Sequence, residues 1–207
     1  MSRDRDPAGK PRNARPRDAL GRPLPRADAG LAMIPDELAL AGPDAARLAD
    51  ELLCAGRPFH AHEVLEASWK SAPPGERDLW QGLAQVAVGL THAHRGNARG
   101  AVTLLRRGAD RVRAYRDAAG PPAPGAAEPP APGAAEPPAG GGFPYSIDIA
   151  AVLAAFDDLA ARIEQRGLAD VPAADLRPRL LTPAEADGPA SGCLVADHGV
   201  MALRAAA

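Results

Sequence analysis

Two histidines, two glutamates and two aromatic residues fall within one short stretch, residues 59–69, with the sequence FHAHEVLEASW. A helix advances about 100° per residue, so one of its faces would carry most of these side chains. They are Phe59, His62, Leu65, Glu66 and Trp69. Because three of the five are large and apolar, we predict that this face points inward. An imidazole and a carboxylate would then be buried, where polar groups need hydrogen-bond partners.

A second stretch, LAQVAVGL at residues 83–90, is apolar on nearly every side, which is typical of a central helix. One of its faces nevertheless carries two amides and an imidazole, at Gln81, Gln85 and His92. The two helices together predict a buried polar cluster that also serves as the candidate ligand-binding site. Its members are His62, Glu63, Glu66, Gln85 and His92. His60, His94 and His198 are expected to lie outside the inner faces.

Three interpretations of this cluster remain open. It could be a structural network, in which a carboxylate fixes an imidazole tautomer and the amides satisfy the remaining groups. It could hold a divalent metal, because His62 and Glu66 are one turn apart and His92 could approach from the facing helix. It could also line a pocket in which a histidine transfers protons. Whether the protein is an enzyme stays open, and a divalent metal is the one cofactor that the residues suggest.

The elements that position these side chains are predicted to be five helices. Pro43 suits a first helical position, Asn97 suits an N-cap, and glycines at positions 56 and 167 suit helix ends. Helix four has a clean apolar stripe with arginines outside it, and we interpret this basic surface as a solvated face. The predicted helices span residues 43–55, 59–71, 76–95, 98–116 and 147–166.

A faint internal repeat links two helix junctions that lie forty residues apart, at Gly56–Ala61 and Gly96–Ala101. Each junction follows one helix and opens the next. The resulting helix–turn–helix units resemble tetratricopeptide hairpins. We therefore predict an all-α fold, a compact bundle of about five helices.

Composition divides the chain into packed and unpacked parts, since the 23 prolines and 21 glycines concentrate outside the predicted helices. Residues 121–136 consist of PPAPGAAE written twice, which is a low-complexity linker. The predicted organisation is a disordered basic, proline-rich arm (1–30), a helical core domain (31–118), a linker (119–142), a docking fifth helix (143–167) and a mostly irregular tail (168–207).

The overall charge and composition exclude several classes of partner. The net charge of -2 argues against nucleic-acid binding, and no apolar run is long enough for a membrane span. The N-terminus lacks the apolar segment of a secretory signal, and the two cysteines lie in separate segments. We expect a cytoplasmic protein whose partner is a small molecule or another protein.

The same residues carry a family resemblance. The pattern Phe59-x-x-His62-Glu63-x-x-Glu66-x-x-Trp69, followed by Gly82-Leu83-x-Gln85 and by His92-x-x-x-Gly96-Asn97-x-x-Gly100-Ala101, resembles the bacterial and archaeal domain-of-unknown-function family 309. The resemblance covers about residues 45–112 and implies a small all-helical domain without assigning a reaction. Thr91 departs from the aromatic residue common there, and the duplicated linker lengthens the connection to helix five. The expected function is a binding or scaffold-like module, and the alternative is a metal-dependent hydrolase using His62, Glu66 and His92.

Overall fold

Helices make up most of the described chain. The structure, a computed structural model, describes residues 15–31, 34, 40–119 and 144–181. Within these ranges the only β pairing consists of isolated bridges, so the all-α prediction is confirmed. The α-helices are α1 (Gly42–Cys54), α2 (Pro58–Ser71), α3 (Arg77–His94), α4 (Ala98–Ala119) and α5 (Ile149–Arg166). Each begins and ends within three residues of its predicted bounds, and none of them is both long and apolar enough to cross a membrane.

The helix ends follow local sequence signals. Gly56 and Gly96 adopt positive φ values of 69° and 78° after α1 and α3, a conformation that glycine reaches without a steric penalty. Asn97 caps α4, because its side-chain oxygen accepts the backbone N–H of Gly100 at 2.9 Å. Asp148 caps α5 in the same way through Ala151. These short-range signals explain why the helix bounds are predictable.

The closest helix packing is between α3 and α4. A methyl group added at Gly108 would lie 2.6 Å from the carbonyl oxygen of Gly82, and one added at Gly82 would lie 2.8 Å from that of Gly108. Gly89, farther along α3, similarly faces the backbone of α4. The absence of side chains at these positions lets the two backbones approach each other and makes α3 the centre of the core.

Helix α5 docks on α4 through both apolar and charged contacts. Phe156 and Ile163 are fully buried, and Glu164 and Asp157 pair with Arg106 and Arg113 of α4. The hydrogen bond from Arg113 to Asp157 raises the pKa of the guanidinium. Part of the basic surface of α4, interpreted from the sequence as a solvated face, therefore forms partly exposed ion pairs with acidic residues of α5.

The N-terminal segment folds back on α2. Residues 15–31 form a looped structure in which the N–H groups of Leu24 and Leu31 bond to Pro16 and Arg17. Gly21 packs directly against the Phe59 ring, and the Arg17 guanidinium lies 5.5 Å from the centre of that ring. This part of the predicted disordered arm contacts the bundle, whereas residues 1–14 lie outside the described residues.

The C-terminal segment closes the bundle beside α1. Leu176, Leu180 and Leu181 are buried, although residues 168–181 contain only short 3-10 turns. The carboxylate of Asp50 accepts the backbone N–H of Leu180 at 2.6 Å and pairs with Arg179 at 3.0 Å. Residues 120–143 and 182–207, with the predicted linker, Cys193 and His198, lie outside the described residues. The domain boundaries and the tetratricopeptide likeness stay predictions.

Candidate functional site

Helix α2 buries a different face from the one that the sequence predicted. The residues that it packs inward are Pro58, His60, Ala61, Val64, Leu65 and Ser68. Phe59 and Trp69, expected in the core, are only half-buried. The physical reason is helix packing: small residues on the buried face let the adjoining helices approach closely, and the bulky aromatic residues lie at the margin of the contact.

The predicted cluster consequently lies at the edge of the core. All five members (His62, Glu63, Glu66, Gln85 and His92) are half-buried. The expectation of a dry, fully buried cluster is therefore wrong. Half-burial leaves these side chains partly accessible, which a binding role requires and a purely internal network does not.

The cluster does bring His62 and Glu66 together. The Nε2 atom of His62 lies 3.6 Å from Oε2 of Glu66, and Oε1 of Glu66 lies 3.2 Å from Nζ of Lys70. Burial lowers the pKa of His62, with Glu66 acting in the opposite direction and Lys70 adding to the decrease. We therefore expect a neutral imidazole at neutral pH, next to a carboxylate that is shared with a lysine.

One polar atom of this face lacks a hydrogen-bond partner. Oε1 of Gln85 is inaccessible to solvent and makes no hydrogen bond in the described part of the chain. Nδ1 of His62 is equally buried, but the ring of His62 bonds to the backbone of Ala84, the residue before Gln85, and so joins α2 to α3. Buried polar groups are nearly always paired in folded proteins, so the unpaired amide oxygen of Gln85 should cost stability.

His92 belongs to a separate arrangement. Its Nδ1 atom lies 2.8 Å from Nδ2 of Asn97, the residue that caps α4. Because Oδ1 of Asn97 accepts the N–H of Gly100, its amide nitrogen is free to donate to His92. In this geometry Nδ1 of His92 accepts the amide N–H of Asn97, which links the histidine to the α3–α4 turn.

The predicted three-ligand metal site is not formed. Among the described residues, which include His62, Glu66 and His92, no three His, Cys, Asp or Glu side chains are grouped in a way that could hold a metal ion. His62 and Glu66 are in contact, but His92 is hydrogen-bonded to Asn97, the residue that caps α4. The sequence placed His92 correctly on α3 without revealing that Asn97 would engage it.

His60, which the sequence placed outside the inner faces, is internal. It is 2% exposed, and its ring meets Phe59 edge-on at 5.7 Å. Burial and the nearby Arg57 lower the pKa of His60, while Asp18 and the backbone of Ala19 oppose them. The prediction for His60 is wrong, because α2 packs it inward and the N-terminal segment covers it. His94 is half-buried, and its Nε2 lies 3.3 Å from the carbonyl oxygen of Leu176.

Comparison with known proteins bears on the same helices. Residues 47–104 match the family described as "Domain of unknown function (DUF309)". The chain is also 46% identical over 48 residues to the uncharacterized protein YpuF of Bacillus subtilis strain 168. That match spans 23% of this chain and 28% of the relative's own length. No solved structure gives a significant match. The resemblance carried by the motifs of α2 and α3 is confirmed for residues 47–104, which are similar to that family.

Proposed function

We propose that this protein is a binding module that receives a polypeptide segment of a partner protein on the outer surface of α2 and α3. The observation that carries the proposal is a row of polar side chains that stay accessible on this surface: those of His62, Glu66 and Lys70 are 27%, 37% and 66% exposed. A carboxylate accepts N–H groups, an ammonium group donates to carbonyl oxygens, and a neutral imidazole does either according to its tautomer. Backbone groups of an extended peptide supply both kinds of complement.

The surroundings of these atoms suit a protein ligand. Trp69 lies on the same face of α2 as His62 and Glu66, at the helical spacing of four and then three residues, and is half-buried. Aromatic side chains that flank polar groups are enriched at protein interfaces. A tetratricopeptide-like stacking of the α1–α2 and α3–α4 hairpins is part of the proposal, because repeated helical hairpins present concave binding surfaces.

Binding is favoured over catalysis because the hydroxyl groups nearest to the cluster in sequence are already engaged. Thr91 donates to the carbonyl oxygen of Ala87 at 2.9 Å, and Ser68 donates to that of Val64 at 3.1 Å, rather than to a histidine. A general base must reach the proton that it removes, and neither hydroxyl is paired with a base. The separation of Cys54 and Cys193 along the chain supports a reducing, cytoplasmic setting for this module.

Stability measurements distinguish a binding surface from a structural network. Gln85→Met removes an acceptor that lacks a partner and keeps the side-chain length, so we expect the free energy of unfolding to rise by about 1 kcal/mol. Gln81→Met is the matched control, since Gln81 is half-buried on the same face of α3, and its effect should be close to zero. A loss of stability on Gln85→Met would mean that the amide serves the fold and would contradict the proposal.

Site-specific crosslinking in cells tests the interaction itself. A photoreactive amino acid at position 69 should give a discrete adduct that disappears with His62→Ala and with Gln85→Met. The same adduct should persist with Gln81→Met. An adduct pattern that is identical in all these variants would show that the His62–Gln85 surface does not select a partner.

A further inference from the structure

A cavity of about 200 Å³ opens on the side of α2 opposite to His62. It lies between the last turn of α2, the start of α3 and the residues that precede α5. Its chemically distinctive borders are Ser68, Ser71, Glu76, Trp80 and Tyr145. None of these residues belongs to the surface proposed above to bind a partner.

The hydrogen-bond donors around this cavity are already engaged. The hydroxyls of Ser68 and Ser71 donate to backbone carbonyl oxygens of α2 at 3.1 Å. The Trp80 indole N–H points at Oε2 of Glu76 at 3.4 Å, and the Tyr145 hydroxyl also bonds to Glu76. Burial, together with Glu76, raises the pKa of Tyr145, which keeps this hydroxyl protonated as a donor. What remains for a ligand is therefore a set of oxygen lone pairs.

The electrostatic character of the cavity is negative. Glu76 contributes a carboxylate, and the carbonyl groups at the C-terminal end of α2 contribute the negative end of the helix dipole. No basic residue of the described chain lines the cavity, although the exposed Arg77 donates through Nε to the carbonyl oxygen of Ala72 at its border, at 3.3 Å. A cation is the ligand that such an environment favours.

Two aromatic rings form the apolar part of the border. The rings of Trp80 and Tyr145 pack against each other with their centres 5.2 Å apart and their planes tilted by 37°. Tyr145 and Ser146 both have positive φ values, 57° and 61°, which non-glycine residues rarely adopt. A methyl group at Gly42 would lie 2.3 Å from the Tyr145 ring, so α1 begins with a residue that leaves room for it. The backbone is thus held in a strained conformation that sets Tyr145 against Trp80 and Glu76.

We propose that this cavity binds an alkylammonium group, with the charged nitrogen at Glu76 and the serine oxygens and the methylenes against Trp80 and Tyr145. Aromatic rings attract cations as well as methylenes, and the carboxylate supplies the charge complement. At about 30 Å³ for each water-sized group, the cavity holds roughly seven such groups. A lysine-like side chain or a free short-chain amine has this size and chemistry.

The proposal can be tested on the full chain by NMR, with the Trp80 indole N–H resonance as the probe. Trp69→Phe assigns the resonance, since the chain has two tryptophans. The titrants are n-butylammonium, n-butanol and n-butyrate at constant ionic strength. We expect a saturable shift with n-butylammonium and none with the alcohol or the carboxylate. Equal responses to all three, or no saturable response to the ammonium, would overturn the proposal without any need for a variant.

Variants then locate the charge. Glu76→Gln should weaken n-butylammonium binding at least tenfold, and Tyr145→Phe, which keeps the ring, should weaken it less. Glu164→Gln, the same change on α5 and away from the cavity, should leave the affinity unchanged. Unaltered binding by a folded Glu76→Gln protein would refute the assignment of the carboxylate. If that variant does not fold, the comparison of the three titrants still decides.

Discussion

Replacing Asp50 should loosen the C-terminal segment from the bundle. The Asp50 side chain is 4% exposed, and its carboxylate accepts the Leu180 N–H at 2.6 Å. The Leu181 N–H lies farther away, at 3.4 Å, and Arg179 pairs from a side chain that is 43% exposed. Asp50→Ala removes all three contacts and leaves a buried N–H group without an acceptor.

The expected cost follows from the burial of each contact. A hydrogen bond to a charged group contributes about 1.5–3 kcal/mol, and the short bond to Leu180 falls in this class. The long contact to Leu181 contributes little, and a partly exposed ion pair such as that with Arg179 contributes about 0–1 kcal/mol. We therefore expect Asp50→Ala to lower the free energy of unfolding by about 2–4 kcal/mol. Asp50→Asn, which keeps an acceptor, should lose about 1 kcal/mol.

Urea denaturation followed by circular dichroism measures these differences, and amide hydrogen exchange at Leu180 localises them. Arg179→Ala is the matched control, because it removes only the exposed partner and should cost less than about 1 kcal/mol. The reasoning fails if Asp50→Ala is as stable as the wild type, or if Arg179→Ala costs as much as Asp50→Ala. Unchanged exchange at Leu180 in Asp50→Ala would likewise contradict it.

Two further changes probe the core. Burial lowers the pKa of His60 below its ordinary value of 6.5, so the unfolded state binds more protons below about pH 6.5 and the free energy of unfolding should fall as the pH drops through this range. His60→Leu should reduce that fall, and an identical pH dependence of urea denaturation in the two proteins would contradict the burial argument. Gly108→Ala should lower stability by about 1–3 kcal/mol in thermal or urea melts, because the added methyl group would meet the Gly82 carbonyl oxygen. Gly75→Ala, with open space around the added group, should be nearly neutral, and an equal effect of both changes would rule out close packing as the cause.

The helices were predictable because their signals are local. Asn97 and Asp148 cap the helices that they precede, and Gly56 ends α1 with a positive φ, all within a few residues of sequence. Apolar periodicity on α4 likewise predicted its buried stripe, of which Leu105 and Val112 are fully buried members. Fold class and helix bounds depend on such short-range information.

The inward face of α2 was not predictable by the same means. We predicted the inward face by treating Phe59 and Trp69 as core residues. The helix instead packs through Ala61, Val64 and Ser68, which lie on a different side of it. Side-chain size suggests burial, but close packing of helices rewards small residues where backbones approach. The burial of His60 was missed for the same reason. A segment about forty residues earlier in the chain, around Asp18, also covers it, and the sequence gives no sign of this contact.

The long-range contacts left no pattern in the sequence. Asp50 and Leu180 are 130 residues apart in the sequence, and Glu76 and Tyr145, which also bond to each other, are separated in the sequence by both α3 and α4. Neither pairing has a periodicity or a motif that could reveal it. The members of the polar cluster on α2 and α3 could be predicted from the sequence. Their half-burial and the hydrogen bond between His92 and Asn97 could be seen only in the structure.

The bond between α1 and the C-terminal segment also sets an order of events during synthesis. Asp50 leaves the ribosome long before Leu180, so the carboxylate of α1 lacks its Leu180 hydrogen-bond donor while α2 to α5 are being synthesised. Closure by residues 168–181 therefore follows the synthesis of α1 to α5. A chain that stalls before this point exposes the apolar surface that Leu176 and Leu180 would cover, and cellular proteases act on such surfaces.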